Sequence, residues 1–232
     1  MMQRAGMPEQ GGGATRIAAW GLITVAVLEV VAMAHHPSIG SKDPGEIVTQ
    51  LRALAALDAQ VHGILIGLLF AGLLAVVQFA TERGLSRAAV RCGLVAYAAG
   101  VIIMTLAGLV DGFIVPRVAL TLPVIAPAQP ALLAQLAAFA ILFNQAFARC
   151  GAILMSAGIA AFSLDLMRGA LPARALGIFG LASGLGCALA IGAGWLRLDV
   201  HGMGAVMLLQ GLWMAGAGAL LLIRAAPHQP MP

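Results

Sequence analysis

Six apolar runs, each close to the length that crosses a bilayer as a helix, dominate this sequence: residues 17–34, 61–80, 92–115, 143–164, 175–196 and 202–223. A hydrocarbon core calls for roughly 20 such residues per helix. Inside lipid, only helices and closed barrels satisfy their own backbone. The runs are continuous and rich in Leu, Ala and Gly, without the alternation of a barrel strand. Hydrophobic residues make up 61% of the chain and charged residues 9%, whereas soluble domains carry about a quarter charged residues. The sequence therefore predicts an all-α, polytopic membrane protein, a six-transmembrane-helix bundle over 16–224. The polar stretches 1–15 and 225–232 read as flexible tails, with His228 incidental in the second.

The net charge of +4 does not point to nucleic acid, because the basic residues are spread over short loops. With the N-terminus inside, eight arginines face the cytoplasm: Arg4, Arg16, Arg83, Arg87, Arg91, Arg168, Arg174 and Arg224. Lys42, Arg52, Arg117 and Arg197 face out, and Arg149 lies within a span. This asymmetry predicts a multi-pass protein of a bacterial inner membrane with both termini cytoplasmic. Its partners would be membrane lipids, with a second copy or a membrane subunit as further candidates. Cys92, Cys150 and Cys187 form no paired motif and read as small buried apolar residues. Arg4 and Arg16 before an apolar run that ends in Ala32-Met33-Ala34 resemble a signal peptide. Glu29 inside the run, and the loss of a span on cleavage, favour its retention.

Two helices should be over-long. Asp43, Pro44 and Glu46 make a helix-start signature, and no breaker follows before Gly63, so the second helix should run from about 44 to 82. The fourth should run from about 131 to 166, with its surplus on the same outer side. Four prolines, Pro116, Pro123, Pro127 and Pro130, mark 116–130 as a long external loop. The glycines of the last two helices suit close helix contact.

Polar groups gather at one depth near the outer side. Glu29, His35 and His36 lie on the first helix, Asp58 and His62 on the second, Asp111 on the third, and Asp199 and His201 at the last. Ionisable groups at that depth mark function by default. Glu29 and His36 are seven apart and Asp58 and His62 four apart, so each pair shares a helix face. Leu57-Asp58-Ala-Gln-Val-His62-Gly63 is echoed by Leu198-Asp199-Val-His201-Gly202. Glu29 needs to be protonated, paired or in a wet cavity. Arg149 needs an anionic partner, expected from Asp111 or Glu29.

No HExxH, GxSxG or Walker motif is present. Three readings stay open. The first is a metal-dependent membrane enzyme acting on a lipid-like or amphiphilic substrate. His35, His36, His62, His201 and Asp58 would hold Zn, Cu or Fe, with Glu29, Asp111 and Arg149 as catalytic groups. The second is a proton-coupled transporter, with Glu29, Asp111, His62 and Arg149 as a relay. The third is a b-type haem electron carrier with two histidines of adjacent helices as axial ligands, such as His36 or His62 with His201. A structural membrane subunit is the remaining possibility. In the first reading, His36, His62 and His201 should converge on one pocket, with Asp111 and Glu29 in its wall.

Overall fold

A computed structural model describes residues 11–38, 43–125 and 130–225. The tail assignments for 1–10 and 226–232, with His228, lie outside the described residues, as does Lys42. Six helices are long and apolar enough to cross a membrane. They are α1 (Gly11–Ala34), α2 (Pro44–Arg83), α3 (Ala88–Leu109), α5 (Pro130–Leu166), α6 (Leu171–Gly192) and α7 (Val200–Arg224). Between α3 and α5, a π-helical turn (Val110–Ile114) leads into α4 (Val115–Ile125). Helix α1 starts at Gly11, so residues 11–15, expected in the tail, are helical.

Each helix packs on the next around a ring: α1 on α2, α2 on α3, α3 on α5, α5 on α6, α6 on α7, and α7 back on α1. The outer surface carries a belt of exposed apolar side chains, such as Ile17, Leu74, Val95, Leu142 and Leu189. That belt is stable against acyl chains and unfavourable against water. The most extensive seam, α3 on α5, is built from glycines that the sequence analysis did not single out. A Cβ on Gly100 would stand 2.6 Å from the backbone nitrogen of Met155, and one on Gly158 2.8 Å from that of Tyr97. Only glycine allows backbones this close.

Two ends can be told apart. At the arginine end the interior is solid: Phe162 stacks on Trp213 and Phe79 meets both edge to face, each at most 1% exposed. Here Arg83 donates to Asp165 through Nε (2.8 Å) and Nη2 (2.5 Å), and Arg87 donates through Nη1 (2.9 Å). Further inward, Trp213 Nε1 donates to Ser163 Oγ (3.1 Å) and Gln210 Nε2 to Ser156 Oγ (3.0 Å). At the opposite, histidine end the bundle is hollow.

Helices α2 (40 residues) and α5 (37 residues) are over-long as expected. The Asp43 carboxylate accepts from the Glu46 backbone N–H (3.0 Å) and caps α2 as its sequence predicts. The expected loop over 116–130 is corrected: 115–125 is helical, and only 126–129 lie outside the described residues. Pro116 cannot donate to the carbonyl four residues back, and its ring would clash there. The chain widens into the π-helical turn instead, closed by the Val115 N–H on the Val110 carbonyl, and the helix continues. Leu51, Val110, Val115 and Ala119 then pack α2, the π turn and α4 into a cap at the histidine end. Arg52 fastens it by donating from Nε to the Ala119 carbonyl (2.8 Å). Cys92 and Cys150 are exposed and only Cys187 is buried, which corrects the expectation of three buried thiols.

Candidate functional site

A cavity of about 590 Å³ opens at the histidine end between α1, α2, α3, α5 and α7. That volume is in the range of small-molecule sites, roughly 300–1,000 Å³. His36 and His62 meet at its polar part. Their Nε2 atoms are 3.2 Å apart, and the rings are edge to face with centroids 4.8 Å apart.

The partners of the opposite ring nitrogens fix the tautomers. His36 Nδ1 lies 2.8 Å from the Pro37 carbonyl oxygen. His62 Nδ1 lies 3.0 Å from both the Asp58 carbonyl oxygen and Asp58 Oδ1. These oxygens are acceptors only, so both Nδ1 atoms carry hydrogen and donate. In the neutral rings, both Nε2 atoms therefore present lone pairs to each other. Two lone pairs at this distance repel unless a cation, a metal ion or one shared proton, lies between them. Asp111 Oδ2 approaches His62 Nε2 from a third direction at 3.4 Å.

Local structure explains the convergence. His36 sits just past the end of α1, where its backbone N–H still donates to the Met33 carbonyl (3.1 Å). Asp58 and His62 are one turn apart on α2, both buried. Asp111 lies in the π turn, whose extra residue per turn rotates this carboxylate relative to a regular helix. Gly112 beside it faces His62, and any Cβ there would overlap the imidazole. Pro116 thus shapes the site through the π turn, a link that was readable in the sequence only as a helix breaker.

The remaining candidates divide. Glu29 lines the cavity and is 6% exposed. His201 lines the rim but is itself exposed, and it lies beside the Asp199 carboxylate rather than beside His36 and His62. His35 is exposed and donates from Nδ1 to the Val31 carbonyl (2.8 Å), away from the cavity. Arg149 is exposed on the outer face of α5 and does not line the cavity. The expected ion pair of Arg149 with Asp111 or Glu29 is not formed, because its α5 position faces away from the bundle axis. Asp111 turns to His62 instead of to Arg149 or Arg117.

The sequence echo does not repeat the geometry. Asp58 lies inside a helix and receives the His62 side chain, whereas Asp199 is an N-cap, accepting from the Gly202 N–H (2.9 Å). That backbone bond holds the Asp199 carboxyl below its usual range. His201, in the first turn, points to the rim.

Ligand atoms of His36, Asp58 and His62 lie within 4.8 Å of one another, so this group could hold a metal ion. Two donors bound tetrahedrally at about 2.0–2.1 Å from a metal are roughly 3.3 Å apart, close to the observed Nε2 separation. Two axial ligands on opposite faces of a haem would be roughly 4 Å apart at similar bond lengths, and the edge-to-face pair leaves no gap for a porphyrin. No protein-family model, curated protein or solved structure matches this chain.

Proposed function

We propose that this chain is a metal-dependent membrane enzyme acting on an amphiphilic substrate bound in the cavity. The observation that carries the reading is the pair of converging Nε2 lone pairs, each made available by a carbonyl that holds the opposite nitrogen's hydrogen. His36 and His62 would be ligands, with Asp111 as the third donor. Asp58 would orient His62 from behind, the carboxylate–histidine arrangement that raises ligand basicity. Two imidazoles and a carboxylate suit zinc or iron better than softer donor sets do. A metal with an open position supplies Lewis-acid activation or a bound water of lowered pKa. The orientation follows the arginine asymmetry: the histidine end faces out, both termini face the cytoplasm, and the membrane is a bacterial inner membrane.

Elemental analysis of the full chain, purified in detergent without chelators, tests this. One equivalent of zinc or iron is expected, lost in His62→Ala and kept in His201→Ala and His35→Ala. Absence of stoichiometric metal, or its equal retention in His62→Ala, overturns the reading.

Proton-coupled transport is the second reading, favoured by the same pair, since one shared proton also satisfies two facing lone pairs. Proton flux into liposomes containing the metal-free protein, abolished by His62→Ala, would put it first.

A further inference from the structure

The proposed metal uses only the polar part of the cavity. The rest of its wall is apolar, with Leu65, Leu69 and methionines from four helices: Met33 on α1, Met104 on α3, Met155 on α5 and Met207 on α7. Methionine adapts its shape to different ligands. Glu29 stands in this wall. Though the residue is more than nine-tenths buried, no described residue bonds to its carboxylate or forms an ion pair with it. Nor are its oxygens sealed in the protein interior without a partner, so they open onto the cavity. Tyr97 is within electrostatic range of Glu29, but its hydroxyl donates to Met214 Sδ (3.5 Å), and the Gln210 amide, which also lines the cavity, donates to Ser156.

The lining as a whole is acidic. Among its described lining residues, Glu29, Asp58, Asp111 and Asp199 contribute carboxylates and His36, His62 and His201 imidazoles, with no lysine or arginine. An ionised carboxylate in an apolar wall is unfavourable unless a cation stands beside it. Small inorganic cations want several oxygen ligands, and this part of the wall offers one carboxylate among thioethers and alkyl chains. An organic cation uses both features, its ammonium on Glu29 and its hydrocarbon on the methionines and leucines.

We infer that the cavity selects lipophilic protonated amines, with Glu29 as the counter-ion. The inference names the substrate class for the amphiphile site proposed above, and it rests on that use of the cavity but not on the metal.

The test uses the full chain in lipid nanodiscs and two probes with one carbon skeleton, 4-phenylbutylamine and 4-phenylbutan-1-ol, titrated calorimetrically at neutral pH. Both probes can donate to the carboxylate, but only the ammonium adds charge–charge attraction, so the amine is expected to bind about 10-fold or more tightly than the alcohol. Glu29→Gln should remove that preference and leave alcohol binding unchanged. It keeps the side-chain size and a polar group at this position, so thermal unfolding should show an intact fold. Equal affinities in the unmodified protein, binding of neither probe, or an undiminished preference in Glu29→Gln overturns the inference. The unmodified protein's comparison needs no variant to fold. Metal content, measured on the same samples, separates the two claims. An amine preference without bound metal keeps this inference and sinks the metal; bound metal without a preference does the reverse.

Discussion

Replacing Gly112 by alanine tests the link from Pro116 through the π turn to the histidine pair. A Cβ built on Gly112 lies 2.6 Å from His62 Cγ and 3.0 Å from His62 Nδ1, where ordinary contact begins near 3.4 Å. The nearest atom, His62 Cβ, is closer still. The imidazole must therefore retreat by about 0.8 Å at Cγ, the difference between 3.4 and 2.6 Å, or the π turn must move off α2. Either movement is large against the 3.0 Å bond to Asp58 and the 3.2 Å approach to His36. Overpacking of this kind costs about 1–3 kcal/mol. Displacing a ligand from its supporting bonds lowers metal affinity by about 10–100-fold. Thermal unfolding in detergent, followed by the fluorescence of the buried Trp213, reads the first effect. Competition with a chromophoric chelator reads the second. Gly67→Ala on α2, where a Cβ meets nothing within 4 Å, is the control and should change neither. A Gly112→Ala protein with unaltered melting and unaltered metal affinity would refute the argument that the π turn places His62.

Three further outcomes follow from other parts of the bundle. Asp165→Ala leaves the buried Arg83 guanidinium unpaired and should lower stability by about 3–5 kcal/mol; denaturation within about 1 kcal/mol of the unmodified protein would show that water reaches this pair. Arg149→Ala, on an outward face, should shift stability by no more than about 0.5 kcal/mol and leave metal content unchanged. In a cysteine-free background, Arg197→Cys should react with an impermeant thiol reagent from outside the cell and Ser86→Cys should not; the reverse pattern refutes the proposed orientation.

The fold was legible where a single physical demand writes a long signal. Lipid demands an unbroken apolar run, so the six spans and the two over-long helices could be read directly. The α2 cap was legible because Asp43, Pro44 and Glu46 act within one turn. Residues 116–125 were not, since a proline's effect on a helix depends on whether the preceding turn can widen, and packing of Val110, Val115 and Ala119 decides that. His36, His62, Asp58 and Asp111 were found because charge near lipid is costly and depth can be counted along each run. Which way each side chain points was beyond that counting. His35 and Arg149 share the depth of the true cavity residues but lie on outward faces. The Arg83–Asp165–Arg87 cluster was missed because its members are far apart in sequence and sit at a loop-rich end, where arginines were explained by topology alone.

The two proposed cations share one cavity, and their charges give a prediction that neither makes alone. Four carboxylates line the space among the described residues. A divalent metal and one ammonium together offset three of those charges, so both can be bound at once. They still repel each other. Glu29 lies five residues before the end of α1 at Ala34, roughly 7.5 Å along the axis, and His36 lies just beyond that end, so about 10 Å separates the two positions. A double and a single positive charge at about 10 Å repel by about 1–3 kcal/mol for effective dielectric constants of about 80 to 20. Bound metal should therefore weaken 4-phenylbutylamine binding by about 5–150-fold and leave 4-phenylbutan-1-ol nearly unaffected. Linkage requires the amine to weaken metal binding by the same factor. Calorimetric titration of the amine into metal-loaded and chelator-stripped protein measures the first factor, and chelator competition with and without saturating amine measures the second. Raising salt separates this from a shape effect, since repulsion through a wet cavity is screened and steric exclusion is not. Independent binding of the two, or an equal loss of alcohol affinity on metal loading, would show that the amine does not sit near Glu29 or that the metal does not sit at the histidine pair.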